Sequence, residues 1–229
     1  MASGQPLLKL LPGMEVLGAF PQKVQSQIAD QAHRRVYQKG EVLFRQGDNW
    51  RFVFYLHRGL LRSVITSFDG QAHTVSTWDP GEVFWSHSLL DEEPMPSTME
   101  ALKESVVYIW EGELLINYLL DSPPAVRALL RRQTQLIRKR RQKIHDLAFA
   151  TVAGRLAKFI IESFGSAESG TITRDLTLDE MASIVSTSPV VVCRILHEFQ
   201  SQGILKINRT SISLNDWEAL EKLAIQRDE

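Results

Sequence analysis

The stretch from Pro124 to His145, PAVRALLRRQTQLIRKRRQKIH, continues helically through Leu147, holds no glycine and has its prolines only at the start. It reads as one long helix, and the rest of the chain must be arranged around it. Asp121 or Ser122 can cap it, and Pro123 and Pro124 suit a first turn in which a missing N–H costs nothing. Val126, Leu130, Gln133, Ile137, Arg140, Ile144 and Leu147 alternate four and three residues apart, the seam of a two-stranded coiled coil. Polar Gln133 and Arg140 within that seam fix register and partner more than they add stability. The same spacing also suits an amphipathic helix packed on its own domain. Arg127, Arg131, Arg132, Arg138, Lys139, Arg140, Arg141 and Lys143 accompany it with no acidic residue among them, a solvated face that could also lie near phosphates. We read this helix as a connector and dimer seam, with β structure before it and helices with a small hairpin after it.

At 229 residues the chain has room for one large domain or two ordinary ones. A hydrophobic content of 44% and a charged content of 23% are those of a soluble globular protein. No apolar run approaches the length of a membrane span, so no membrane partner is expected. The first fifteen residues hold one lysine and no sustained apolar core, which is not the pattern of a secretory signal. A single cysteine, Cys193, excludes an internal disulfide and a self-contained iron–sulfur or multi-cysteine zinc site. The expected compartment is the cytoplasm. Residues 1–121 hold 10 Lys and Arg against 15 Asp and Glu, a net of −5; residues 122–229 hold 16 against 12, a net of +4. A polyanionic partner is therefore expected to meet the second half.

Residues 1–36 read as a helical preface in which KVQSQIADQAHRRV after Pro21 turns Val24, Ile28 and Ala32 inward. From Lys39 onward glycines at 40, 47, 59, 70 and 81 cut the chain into short β-prone runs: EVLFR, FVFYLH, LLRSVITS, HTVSTW and EVFW. Gly59, Gly70 and Gly81 recur every eleven residues, the turn spacing of an antiparallel sandwich or barrel. Asp69-Gly70 and Asp79-Pro80-Gly81 are turn signals, the first because Asp-Gly accepts the positive φ values of a tight hairpin. A last strand is expected near Ser105–Trp110, with helix resuming over Glu111–Leu120.

The order Lys39-Gly40-Glu41, Gln46-Gly47-Asp48, Gly59, Asp69-Gly70 and Pro80-Gly81-Glu82-Val83-Phe84 resembles the effector domain of the cAMP receptor protein/FNR (CRP/FNR) family of bacterial regulators. The resemblance runs from about residue 15 through nearly the whole chain. In that family the segment after the last glycine is a phosphate-binding cassette: a Gly-Glu pair, then Arg-Ser or Arg-Thr about ten residues on, with the Glu on the ribose and the Arg on the cyclic phosphate. Here Trp85-Ser86 stands for the first pair and Met95-Pro96-Ser97-Thr98 for the second. No Lys or Arg lies between Arg62 and Lys103, and Asp91, Glu92 and Glu93 occupy the loop. Unpaired burial of a phosphate is costly, so cAMP bound in the familiar manner is not expected. Trp78, Phe84, Trp85, Ser86, His87, Met95, Ser97 and Thr98 could line a pocket for another effector, whose identity is unknown, or simply fill the barrel's own core. His73 and His87 find no third ligand at a convincing spacing, so neither metal nor cofactor is identified. The absent metal motif also speaks against a jelly-roll enzyme.

After the connector, TVAGRLAKFIIESF over Thr151–Phe164 is an amphipathic helix with Val152, Leu156, Phe159 and Ile160 inward, stopped by Gly165. Gly165–Arg174 reads as a polar linker or short hairpin. Thr177-Leu178-Asp179-Glu180 is a capping box that opens a helix through Val185, in which Ala182 leaves room for a close neighbour. Ser186-Thr187 make a turn, Ser188 caps a second helix with Pro189 at its first position, and Gly203 ends it. Val192, Ile195, Leu196 and Phe199 face inward. Two capped helices joined by so short a turn form a helix-turn-helix. Ile204–Ile207 and Ser211–Leu214 flank Asn208-Arg209-Thr210 as a wing, and Trp217, Leu220 and Leu223 are expected to close a last helix on the core.

Outward on the second, recognition helix are Pro189, Val190, Val191, Cys193, Arg194 and His197. The family resemblance implies an Arg one turn into this helix, which Arg194 supplies for guanine O6 and N7, while the polar pair that often opens the helix is missing. Val190 and Val191 suit thymine methyls, and Thr177, Ser188 and Arg209 suit phosphates; His197 is equally a phosphate donor or a solvated residue. Cys193 is read as a small residue filling a helix face, with oxidation of a groove-facing thiol as the alternative.

The expected fold is α+β: residues 1–121 an effector-sensing antiparallel jelly-roll barrel like a cyclic nucleotide-binding domain, 122–149 the connector, and 150–229 a winged helix-turn-helix. The expected function is a non-enzymatic, homodimeric transcription regulator that binds a palindromic operator in double-stranded DNA and works with RNA polymerase. Its effector would be a small molecule other than conventionally bound cAMP. A cyclic-nucleotide response through a rebuilt pocket and an effector-independent regulator are the alternatives.

Overall fold

The structure, a computed structural model, describes residues 7–66, 72–165 and 170–225. Contacts divide the chain into two compact units, residues 1–70 with 75–138 and residues 71–74 with 139–229.

In the first unit, apart from residues 72–74 and 139–149, which count with the second, helix α1 (Gln22–Asp30) is followed by strands β1 (His33–Tyr37), β2 (Val42–Phe44), β3 (Phe52–Arg58), β4 (Leu61–Thr66), β5 (Ala72–Trp78) and β6 (Val83–Trp85). A single helical turn α2 (His87–Leu90), strands β7 (Thr98–Ala101) and β8 (Ser105–Glu111), helix α3 (Gly112–Leu120) and the long helix α4 (Pro123–Phe149) come next. The strands form two four-stranded antiparallel sheets, β1-β8-β3-β6 and β2-β7-β4-β5. This is the jelly roll expected, as two sheets facing one interior. Along β3 the side chains alternate: Phe54 and Leu56 join that interior, while Val53 and Tyr55 join a second cluster with the helices. β8 is apolar on both faces for the same reason, and Trp110 Nε1 donates to the Ile28 carbonyl at 2.7 Å.

The helical preface ends earlier than its sequence suggests. α1 stops at Asp30 with Ile28 buried, and His33–Tyr37 is strand β1, paired with β8 from His33↔Ile109 to Tyr37↔Ser105. A long-range ladder overrides the apparent helical periodicity of HRRV. Gly59, at φ 107°, turns β3 into β4 where an added Cβ would lie 2.2 Å from Ser105 Oγ, so both the backbone angle and the space demand glycine. The hairpin signal at Phe68–Gln71 lies outside the described residues.

α4 covers the predicted helix and extends it by a few residues. Ala125, Ala128 and Leu129 are buried in the helix-side cluster, and Leu136 packs against the sheet interior. Arg132 Nη2 donates to Glu82 Oε1 at 2.6 Å. The helix therefore does pack on its own domain. Its proposed seam is a separate stripe, about 100° further round.

The second unit contains α5 (Val152–Phe164), β9 (Thr171–Thr173), α6 (Leu178–Val185), α7 (Pro189–Ser201), β10 (Leu205–Ile207), β11 (Ser211–Leu214) and α8 (Trp217–Ala224). Thr171–Thr173, expected as linker or hairpin, is the third strand of a β10-β11-β9 sheet. Leu156, Ile160, Met181, Val192, Ile195, Leu196, Phe199, Ile212 and Leu220 make one core. Trp217 does not close onto it: as the first residue of α8 it is 40% exposed, and Leu220 alone of the expected trio is fully buried.

Candidate functional site

The helix-turn-helix is built by local capping. Thr177 Oγ1 accepts from Glu180 N at 3.1 Å while Thr177 N donates to Glu180 Oε2 at 2.7 Å, so both orphan donors are met. Ser186 ends α6 in the left-handed region at φ 61°, and Ser188 Oγ accepts from Val191 N at 3.4 Å to start α7. Pro189 takes the first helical position. With Val192, Ile195, Leu196 and Phe199 buried, the opposite face of α7 is free. Val190 is 78% exposed, and Arg194 and His197 are exposed. Pro189, Val191 and Cys193 are half-buried, Val191 leaning on the core. Arg194 Nε lies 3.7 Å from Glu198 Oε1 one turn on, an exposed pair that a base edge could replace at little cost. Arg209 is exposed at the tip of the wing between β10 and β11.

On α4, Leu130, Ile137 and Ile144 are 63%, 59% and 66% exposed, seven residues apart. Gln133 and Val126 are half-buried, Val126 against its own domain, and Arg140 is exposed.

The effector-side residues do not all converge. Trp78 and Phe84 stack edge-to-face at 5.1 Å in the sheet interior, and His87 lies 6.0 Å from the Phe84 ring. Trp85, the neighbour of Phe84 on β6, faces the other cluster, because consecutive strand residues point to opposite faces. Ser97 and Ser63 share a buried hydroxyl–hydroxyl bond of 2.6 Å, and Thr98 Oγ1 accepts from Gln46 N at 3.0 Å. Phe44, Trp50, Phe52, Phe54, Trp78 and Phe84 form a continuous ring cluster, with centroids 4.7–6.4 Å apart. Trp78 Nε1 and Ser86 Oγ are buried and meet no protein partner among the described residues. The nearest arginine in sequence, Arg62, is committed to Glu100 across the β4–β7 pair. A cyclic phosphate thus finds no spare cation in this segment. No group of His, Cys, Asp and Glu among the described residues could hold a metal ion.

An antiparallel jelly roll, a long helix and a winged helix-turn-helix define a transcription regulator of the CRP type. Residues 34–122 match the cyclic nucleotide-binding domain and residues 154–223 the Crp-like helix-turn-helix domain. The chain belongs to the CRP/FNR family of DNA-binding transcription regulators, which are not enzymes. A CRP-like cAMP-activated global transcriptional regulator of Mycobacterium tuberculosis is 25% identical over 193 residues, covering 82% of this chain and 86% of that one. The transcriptional activator protein FnrA of Stutzerimonas stutzeri is 27% identical over 187 residues, covering 80% and 76%. The fold matches that of FixK2 from Bradyrhizobium japonicum with a TM-score of 0.77 at 21% identity, over 85% of this chain and 98% of that one. No helix among the described residues is long and apolar enough to cross a membrane.

Proposed function

We propose that the protein acts in the cytoplasm as a homodimer that reads a palindromic operator in double-stranded DNA and engages RNA polymerase from there. Residues 1–121 serve as the sensing domain, 122–149 as connector and seam, and 150–229 as the reader. Val126, Leu130, Gln133, Ile137, Arg140 and Ile144 pair with the same residues of a second copy. Arg194 reads a guanine, Val190 and Val191 meet thymine methyls, and Pro189, Thr177, Ser188, His197 and Arg209 line the groove edge and its phosphates. The observation that carries this reading is the exposed apolar heptad on α4 together with the free face of α7. Selection of duplexes from a random pool tests it: the expected product is a palindrome with half-sites about one helical turn apart. Enrichment of single, non-repeated sites would overturn the dimeric reading.

The effector is not cAMP held through the family's cassette. Two arginine-to-carboxylate pairs, Arg62–Glu100 and Arg132–Glu82, and the acidic loop at 91–93 leave that chemistry unsupported. The ring cluster favours a second reading, an effector-independent regulator whose interior is its own ligand. Buried Trp78 Nε1 and Ser86 Oγ are the features that still favour a small acceptor-bearing effector. Titration of operator affinity with cAMP is expected to leave it unchanged; a rise in affinity would restore the cyclic-nucleotide alternative.

A further inference from the structure

The end of α6 is where the helix-turn-helix turns, and its carbonyls are met from outside the motif. Thr187 N donates to Ala182 O at 3.0 Å. The carbonyls that follow cannot be met by a continuing helix, because Ser186 leaves it at φ 61°. Lys143 Nζ on α4 donates to Ile184 O at 3.3 Å and to Thr74 O at 2.6 Å. Arg155 on α5 donates through Nε to Val185 O at 2.9 Å, through Nη2 to Ser186 O at 3.3 Å, and through Nη1 to Ala150 O at 2.7 Å. One planar guanidinium therefore joins the α4–α5 junction at Ala150 to the turn at Ser186. Cations at a helix C-terminus are favourable, and the guanidinium fork suits several acceptors where an ammonium would meet fewer. Both side chains are half-buried, and burial pushes the Lys143 ammonium below its usual pKa, so this contact is kept against a desolvation cost. A non-glycine residue in the left-handed region persists only where its surroundings hold it, and these bonds do so.

We propose that Lys143 and Arg155 are positioning residues for DNA recognition: they tie the end of the connector helix to the helix-turn-helix turn and so set the orientation of α7. Ser188, the cap of α7, follows Ser186 by two residues, so a change in the turn passes directly into the recognition helix. This rests on the DNA-reading role of α7 and adds the residues that would carry a connector movement to it.

Three variants test it: Arg155→Lys, Arg155→Gln and Lys143→Met. Each is titrated with the palindromic duplex that the wild-type protein enriches from a random pool, and with a scrambled duplex of equal length. Amide hydrogen exchange is followed on the full chain without DNA. Arg155→Lys and Lys143→Met are expected to bind the enriched duplex about tenfold more weakly. Binding to the scrambled duplex should stay within about twofold. Exchange should quicken over 186–192 while α5 and α8 keep their protection. Equal losses on both duplexes would make these residues phosphate contacts and overturn the proposal, as would unchanged exchange over 186–192. A loss that merely follows the unfolding midpoint would overturn it too. Should Arg155→Gln fail to fold, the lysine variant, which keeps the charge and cannot span three carbonyls, decides the matter. A wild-type protein that enriches no duplex strikes the DNA-reading role itself, whereas unaltered exchange in the variants strikes the clamp alone.

Discussion

Replacing Ile137 by Asp should separate the two copies without unfolding either. Leu130, Ile137 and Ile144 are 63%, 59% and 66% exposed on α4, so pairing can still remove about three-fifths of each side chain from water. Full burial of such a side chain contributes about 1.5–3 kcal/mol, which scales to about 1–2 kcal/mol each. Three residues from each of two copies then supply about 6–12 kcal/mol gross, before the cost of association, which is itself several kcal/mol. Ile137→Asp removes two such contributions and sets two carboxylates against each other across the seam. A loss of about 3–4 kcal/mol follows, which is a dissociation constant raised by about two to three orders of magnitude. Sedimentation equilibrium measures the constant, and far-ultraviolet circular dichroism checks that the exposed position leaves the chain folded. An unchanged dimer would show that the heptad stripe is not the seam. A folded wild-type monomer at tens of micromolar would refute the estimate from exposure altogether.

Arg194→Ala should lose about 1–3 kcal/mol of specific binding and relax the preference at one base pair per half-site, measured by binding to single-substitution operators; equal loss on random DNA would make it a phosphate contact. Thr177→Ala removes the oxygen that accepts from Glu180 N and should destabilise the second unit by about 1 kcal/mol in urea unfolding. Arg132→Leu removes the guanidinium from Glu82 Oε1, leaving the Asp79 N–H on Oε2, and should cost about 1–3 kcal/mol in the first unit; a neutral effect would show that water, which reaches the 18% exposed side chain, replaces the lost partner. Asp146 is partly desolvated, which raises its pKa, but hydrogen bonds from Lys158 and Gln142 outweigh this and hold it below the usual carboxylate value. With the folded pKa depressed, its stabilisation is complete above about pH 4 and is lost as pH falls through the lower folded value. Unfolding of Asp146→Asn between pH 5 and pH 2 should accordingly fall less steeply than that of the parent.

The local parts of this architecture were legible because a few residues decide them. The capping box at Thr177 and Glu180, Pro189 after Ser188, and the glycine at 59 each impose one backbone conformation, and each stands where expected. Strands β1, β7 and β9 were not legible, since HRRVY, TMEA and TIT show no strong alternation and owe their state to partners tens of residues away. The separation of Trp85 from Trp78 and Phe84 follows from strand parity alone, so the sequence did contain it once β6 was placed. Lys143 and Arg155 left no such mark. Their targets are backbone carbonyls, which any residue offers, and in the sequence they are two cations among sixteen in the basic half.

That last point bears on how a basic connector should be understood. A run of arginines and lysines on a helix suggests contact with phosphates, yet the cations of α4 divide among different tasks. Arg132 is spent on Glu82 within the first unit, and Lys143 on the carbonyls of Ile184 and Thr74 within the second. Arg140 sits in the apolar stripe, where an identical residue from a second copy would face it. Like charges opposed at one seam position weaken pairing but tolerate few alternative registers, because a slip of one heptad would bring Arg140 against Gln133 or Leu147. The cost is modest while both guanidinium groups stay in water, as the exposure of Arg140 allows. Arg140→Leu should therefore tighten the dimer. If the seam is as proposed, it should also loosen its specificity of register, which cross-linking through single cysteines at 137 and at 144, in a Cys193→Ser background, would reveal as mixed 137–144 products absent from the parent.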